Sequence, residues 1–325
     1  MASGCLFQDI CRISVAMGSQ ITTIGNLTID DIILFDEKEM FLGSIGGNVL
    51  FSAVGARIWD AEPTIRARKG RSFPESSIQR LERFGIKADL VAVPKNDIRD
   101  WALYEPGGDR QFINHLSSGS HHDMSITGDD LGERNLKSDG VHVASMPTDV
   151  QYSLLEKVQQ KKEVNTVVSL DPHVEYLEKE ELRKLAFEML KYVDVFLPSS
   201  EEVEKMFGSD RYEDAARAFA DAGPEVVAIK KNVEGSLIYL RGQDKFYDVP
   251  IFACDAIDPT GAGDAYCGGF LACFSETEDP MLAAAYGTVS ASYVVEHVGA
   301  LSTLEADFED KGRRLESVTQ NITEL

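Results

Sequence analysis

The chain has 325 residues, is 43% hydrophobic and 26% charged, and carries a formal net charge of −22. Its length and apolar content suffice for one large α/β domain or for two smaller ones. An acidic surface repels phosphate backbones, which argues against a nucleic-acid partner but not against a small anion held by local dipoles, and no apolar run is long enough to span a membrane.

Residues 1–20 read as an N-terminal extension, disordered or otherwise outside the folded domain, which is taken to cover residues 21–325. The stretch lacks a basic n-region and a clean apolar h-region, so it is not read as a signal peptide, and Met17 is an alternative start. The five cysteines, Cys5, Cys11, Cys254, Cys267 and Cys273, form no metal-type CxxC pair. They fit the reduced thiols of a cytoplasmic protein.

Gln20–Ile24 is predicted to be a short strand ending at Gly25, and Ile29–Leu34 and Lys38–Leu42 follow as strands across a charged turn. After Gly46 and Gly47, the spacing of Val49, Ala53, Ala56 and Ile58 predicts a helix. Pro74–Phe84 predicts another, ended by Gly85. Residues 100–115 place two aromatic-bearing arms around Pro-Gly-Gly-Asp, which predicts a β-hairpin.

The second half alternates. Strands are predicted at Gly140–Ser145, Thr166–Leu170, Val193–Leu197 and Glu225–Lys230, with helices at Val150–Gln159, Lys179–Leu190 and two acidic segments after Pro198. Such alternation predicts a doubly wound, mostly parallel sheet with helices on both faces. Ligands bind such sheets outside the carboxyl ends of the strands. Asp171, Pro198–Glu202 and Lys230–Gly235 fall there.

The stretch Asp258-Pro-Thr-Gly-Ala-Gly-Asp264 precedes a run of small and apolar residues compatible with a helix. Glycines at a helix start leave amide donors bare at the positive end of the helix dipole, which makes an anion site. Asp264 has two readings: a helix-capping acid, or a base beside the anion site. Phosphoryl transfer to a hydroxyl needs both donors for the charged equatorial oxygens and a base near the attacking oxygen. The Walker-type phosphate loop is absent.

This stretch resembles the signature of the ribokinase-like carbohydrate kinases, the phosphofructokinase-B group, and the resemblance extends over most of the chain from about Ile21. IGNLTIDDI resembles the family's first strand and GSIGGN its sugar-pocket glycine pair. RSFPESSIQRLERFGI resembles the segment after its second strand, and VVSLDPH, with Asp171, the strand end that faces the phosphates. The resemblance implies ATP as donor, Mg²⁺ as metal, and a small β-sheet lid from segments near 28–42 and 100–115. It implies Asp264 as catalytic base, with Gly261, Ala262 and Gly263 as anion hole. It places Asp30, Gly46, Gly47 and Asn48 on the substrate. It places Lys230, Asn232, Gly235, Ser199 and Thr260 on the nucleotide, and Glu202 on the metal. It leaves open a monovalent cation and whether the enzyme is a monomer or a homodimer.

Several positions depart from the family's pattern. Phe51 stands where an asparagine contacts the sugar, Ser199 replaces the asparagine of Asn-x-x-Glu, Asn232 replaces a loop glycine, and Pro259 replaces threonine. Adjacent strand residues face opposite sides, so only one of Asp30 and Asp31 faces the pocket, and the alignment selects Asp30. Trp101 and Tyr104 read first as packing in the small sheet, and Arg110 as a solvated charge. The partner expected is a small molecule with a free hydroxyl. The alternatives are a nucleoside acceptor, or a non-catalytic regulator that keeps the fold.

Overall fold

The computed structural model describes residues 18–35, 38–104, 110–132 and 136–325. Residues 1–17, most of the expected extension, residues 105–109, where the hairpin turn is expected, and the side chain of Arg110 lie outside the described residues. Short β-branched runs bounded by glycine, proline and asparagine give fourteen strands among the described residues. They are β1 (Gln20–Ile24), β2 (Thr28–Leu34), β3 (Glu39–Gly46), β4 (Glu62–Lys69), β5 (Lys87–Ala92), β6 (Ile98–Tyr104), β7 (Arg110–Asn114), β8 (Gly140–Val143), β9 (Val167–Leu170), β10 (Val195–Phe196), β11 (Val226–Lys230), β12 (Ser236–Leu240), β13 (Lys245–Val249) and β14 (Thr323–Glu324).

Ten of them form one sheet in the order β14-β13-β12-β11-β10-β9-β8-β1-β4-β5. Every neighbouring pair from β5 to β11 is parallel, and the remaining pairs are antiparallel. The chain winds outward in both directions from β1, so a crevice opens at the carboxyl ends of the strands where the winding reverses. One face is covered by the helices Asn48–Arg57, Ala262–Thr277 and Pro280–Val295. The other is covered by Thr148–Lys161, Glu180–Met189, Ser200–Phe207 and Tyr212–Asp221. The Asn48–Arg57 and Ala262–Thr277 helices meet backbone to backbone. A Cβ on Gly55 would lie 2.0 Å from the carbonyl oxygen of Ala265, and one on Gly268 would lie 1.8 Å from that of Ser52.

Sequence reading did not assign β4, β5 or β12 to β14. In β4 the charged residues Arg66, Arg68 and Lys69 hide the pattern, although β4 lies between β1 and β5. Their charges are met by tertiary partners: Arg66 by Asp89 and Arg68 by Asp130, each at 2.6 Å. Pro63 is tolerated because it lies at the start of the strand. The strand expected at Val193–Leu197 is pared to Val195–Phe196, because a 3₁₀ turn over Leu190–Tyr192 precedes it.

The remaining strands form a separate small sheet in the order β3-β2-β6-β7, at the two segments expected for it. The hairpin of β6 and β7 is antiparallel, as its sequence predicts. Asp30 stands opposite Asp100 and Leu34 opposite Tyr104, so strand alternation turns these four toward the main body. Asp31 faces the other way, accepting from Arg99 at 2.9 Å and from the amide of Gly43 at 2.6 Å. Trp101 lies on that outer face too, stacked on His115 at 4.3 Å. Among the described residues, no helix is long and apolar enough to cross a membrane.

Candidate active site

The signature forms the turn into the Ala262–Thr277 helix. Gly261 is the N-cap with φ +77°, a left-handed conformation that suits glycine. Being glycine, it leaves the first-turn amides without a side-chain cap from that position. The Ala262 amide donates to the Pro259 carbonyl at 3.3 Å, so Ala262 belongs to the turn itself, and Gly263 carries the next amide of the helix start. Asp264 follows, half-buried, in the first helical turn. The turn is flanked on both sides. Gly261 lies against the ring of Phe51, and a Cβ on Gly263 would lie 3.6 Å from Lys230 Nζ.

On the Lys230 side, strand ends converge. Lys230 at the end of β11 donates to Asp171 Oδ2, just beyond β9, at 2.8 Å, and reaches Cys267 Sγ at 3.4 Å. Burial, the largest influence, works against the ammonium, but the negative groups around it, Asp171 first among them, together outweigh burial and hold Lys230 above its usual range. The second Asp171 oxygen, Oδ1, is buried without a hydrogen-bond partner. Ser199 caps the Ser200–Phe207 helix in a capping box. Its amide donates to Glu202 Oε2 at 2.6 Å and its hydroxyl at 2.7 Å, while the Glu202 amide donates back to the Ser199 hydroxyl. Serine therefore pins Glu202 in place here. Burial first, then the charge of Asp171, pushes Glu202 up to about 7. Asn232, with φ +52°, and Gly235, with φ +87°, give the loop from β11 to β12 its two positive-φ positions. Among the described residues no ready-made cluster of metal ligands is present.

On the Phe51 side, a cleft opens between the small sheet and the signature turn. It is lined by Asp30, Ser44, Gly46, Phe51, Tyr104, Phe112 and Thr260, among others. Asp30 is 9% exposed and accepts from the Thr28 hydroxyl at 2.9 Å. Burial pushes it up to about 7, the Thr28 bond opposes this, and Asp100 and Asp258 push it further up. Gly46 permits the approach, since a Cβ there would lie 2.2 Å from Asp30 Oδ2. Gly47 caps the Asn48–Arg57 helix, where a Cβ would strike the Asn26 carbonyl.

Two of the expected site residues have partners within the chain. The Asn48 side chain accepts from the Asn26 amide at 2.9 Å and donates to the Ser145 carbonyl, so it ties two loops together at the crevice wall. Thr260, expected at the nucleotide, lies in the cleft under the small sheet, with its hydroxyl bonded to that of Tyr104. Sequence reading did not single out Ser44, Asp100 or Phe112, and read Tyr104 as packing first and substrate contact second. Alternation along β6 puts Asp100 and Tyr104 on the Asp30 face, a signal that the hairpin pattern already carried.

Residues 70–307 match the pfkB family carbohydrate kinase family. The chain is 26% identical over 257 residues to the cytidine kinase of Thermococcus kodakarensis, covering 78% of this chain and 88% of that relative. It is 29% identical over 177 residues to the nucleoside kinase of Methanocaldococcus jannaschii, covering 54% and 55% respectively. A double mutant of fructokinase from Vibrio cholerae O395, solved with fructose, ADP and potassium ion bound, has a similar fold. It superposes with TM-score 0.72 at 19% identity over 89% of this chain and 96% of its own.

Proposed function

Since the chain belongs to the pfkB family of carbohydrate kinases and is a small-molecule kinase that phosphorylates a sugar-like substrate with ATP, we propose that Asp264 is its general base. In this reading the acceptor hydroxyl lies in the cleft between Asp30 and the signature turn. Asp264 takes the hydroxyl proton as the oxygen attacks the γ-phosphorus, the bond to the leaving ADP oxygen breaks, and the amides from Gly263 onward stabilise the equatorial charge. Asp30 accepts hydrogen bonds from further hydroxyls of the acceptor, and Gly46 and Gly47 let that acceptor approach the backbone. Lys230 places a fixed positive charge beside Gly263, and the Asn232–Gly235 loop borders the nucleotide. The observation that carries the reading is the position of the Gly261–Asp264 turn, with the acceptor cleft against Gly261 and Lys230 against Gly263.

Magnesium fits the residues present. Asp171 has an unpartnered buried oxygen, and Glu202 is a carboxylate under repulsion from Asp171. Hard oxygen donors suit Mg²⁺. Asp171 and Glu202 would hold the ion or its waters, and when bound it would neutralise charge on the donor phosphates.

The nucleoside reading has its own support. Phe51, Tyr104 and Phe112 bring three aromatic rings to one cleft, and the cytidine kinase relative matches along most of its length. ATP consumption with Mg²⁺, with and without potassium, against sugars, sugar acids, polyols and nucleosides tests both. A sugar hit supports the first reading and a nucleoside hit the second. Binding of ATP without turnover of any acceptor would favour the regulator.

A further inference from the structure

Asp258 is a carboxylate with 0% exposure in the turn that leads into Gly261. A buried charge stands only where donors meet it. Three do so here, and each comes from a different part of the chain. Tyr104 donates its hydroxyl to Oδ1 at 2.5 Å, the Thr260 amide donates to Oδ1 at 2.8 Å, and the Gly299 amide reaches Oδ2 at 3.3 Å. The amide donors belong to the main body. The hydroxyl belongs to the small sheet and spans 154 positions of sequence. Tyr104 also touches the Thr260 hydroxyl, three residues before Gly263. It stands on the same face of the same sheet as Asp30, at the other end of the paired run of β2 and β6. A ring placed there for packing alone has no need of its hydroxyl, and phenylalanine would fill the same space.

We infer that Tyr104 is a positioning residue. Its hydroxyl ties the small sheet, which carries the acceptor-side residue Asp30, to the signature turn, so Asp258 holds the Gly263 and Asp264 groups in alignment beneath the acceptor. This inference rests on the kinase reading above and adds a residue to it. Loss of the hydroxyl leaves the cleft wall and its apolar contacts in place but frees the turn. The chemical step suffers, and acceptor binding changes little, because Asp30 and Gly46 are untouched.

The test compares Tyr104→Phe, Asp258→Asn and the double variant with wild type in full-length protein. The readouts are steady-state kinetics, thermal unfolding and hydrogen exchange of the peptide covering residues 258–264. In Tyr104→Phe, kcat is expected to fall about 10- to 100-fold, as for loss of a hydrogen bond to a charged group. The KM of the acceptor should stay within about threefold and the unfolding midpoint within a few degrees. Exchange in the 258–264 peptide should quicken. The double variant should be no slower than Asp258→Asn alone, because Tyr104 acts through Asp258. A Tyr104→Phe enzyme with kcat within twofold of wild type overturns the inference. So does a double variant whose losses multiply, or a kcat loss that comes only with a matching collapse of the unfolding midpoint. A wild-type protein that consumes no ATP with any acceptor overturns the kinase reading and this inference with it, whereas an active wild type with an unaffected variant overturns this inference alone.

Discussion

Gly261 and Phe51 touch so closely that a methyl group on the Gly261 Cα would fall 2.1 Å from Phe51 Cγ. The contact joins the two glycine-marked segments of the chain. Phe51 comes from the helix after Gly46–Gly47, and Gly261 caps the helix that carries Asp264. Gly261→Ala must therefore meet both a left-handed φ and a clash. A displacement of about 1 Å at a reacting centre costs about 100-fold in rate, and a loss of at least that size is expected in kcat. Gly261→Ala combined with Phe51→Ala removes the clash and leaves only the strain, so it should recover part of the loss. Equal activities for the single and combined variants would show that the ring contact is irrelevant.

Asp264→Asn removes the proposed base while nearly preserving shape. Turnover is expected to fall by about 10²- to 10⁴-fold, with the dissociation constant for ATP and the unfolding midpoint near those of wild type. Titration calorimetry separates the two effects. An Asp264→Asn enzyme that turns over near the wild-type rate returns Asp264 to the capping role that its position also allows.

Lys230 and Asp171 form a buried ion pair beside the anion site. Lys230→Met leaves Asp171 as an uncompensated buried acid, and breaking such a pair from one side costs about 3–5 kcal/mol. Adding Asp171→Asn to that variant should restore much of the stability in urea unfolding, since a neutral amide needs no counter-charge. Neither variant should restore activity. A Lys230→Met protein as stable as wild type would mean that the pair is open to solvent.

The acids of the site give a pH dependence whose sign follows from their shifts. Asp30 and Glu202 are both pushed up to about 7, from 3.8 and 4.5. Between those limits the folded chain keeps protons that the unfolded chain has released. Their contribution to stability is therefore full below about pH 4 and is lost as the pH rises through about 7. Asp30→Asn should be more stable than wild type at pH 8, and the difference should shrink toward pH 4. Ionised Asp30 is the better acceptor for substrate hydroxyls, so the KM of the acceptor should fall as the pH rises from 6 to 8. A KM flat across that range in wild type would remove Asp30 from the acceptor site.

Much was already written in the chain order. Alternating apolar runs required a parallel sheet, and residues around Asp258–Asp264 announced a glycine-led helix start with an acid in its first turn, because these are local properties of spacing and of glycine. The alternation of β2 separated Asp30 from Asp31 for the same reason. The tertiary structure alone decided the rest. The bonds of Asn48 depend on where Asn26 and Ser145 lie. The bond of the Thr260 hydroxyl to Tyr104 depends on the small sheet above it. Strand β4 is hidden in sequence because its arginines find Asp89 and Asp130 only once the chain is folded. The Tyr104–Asp258 bond, like the Lys230–Asp171 pair, links residues far apart in sequence. Periodicity reports which way a side chain faces, but the partner that meets a buried charge is supplied by distant segments, and only packing brings them into contact.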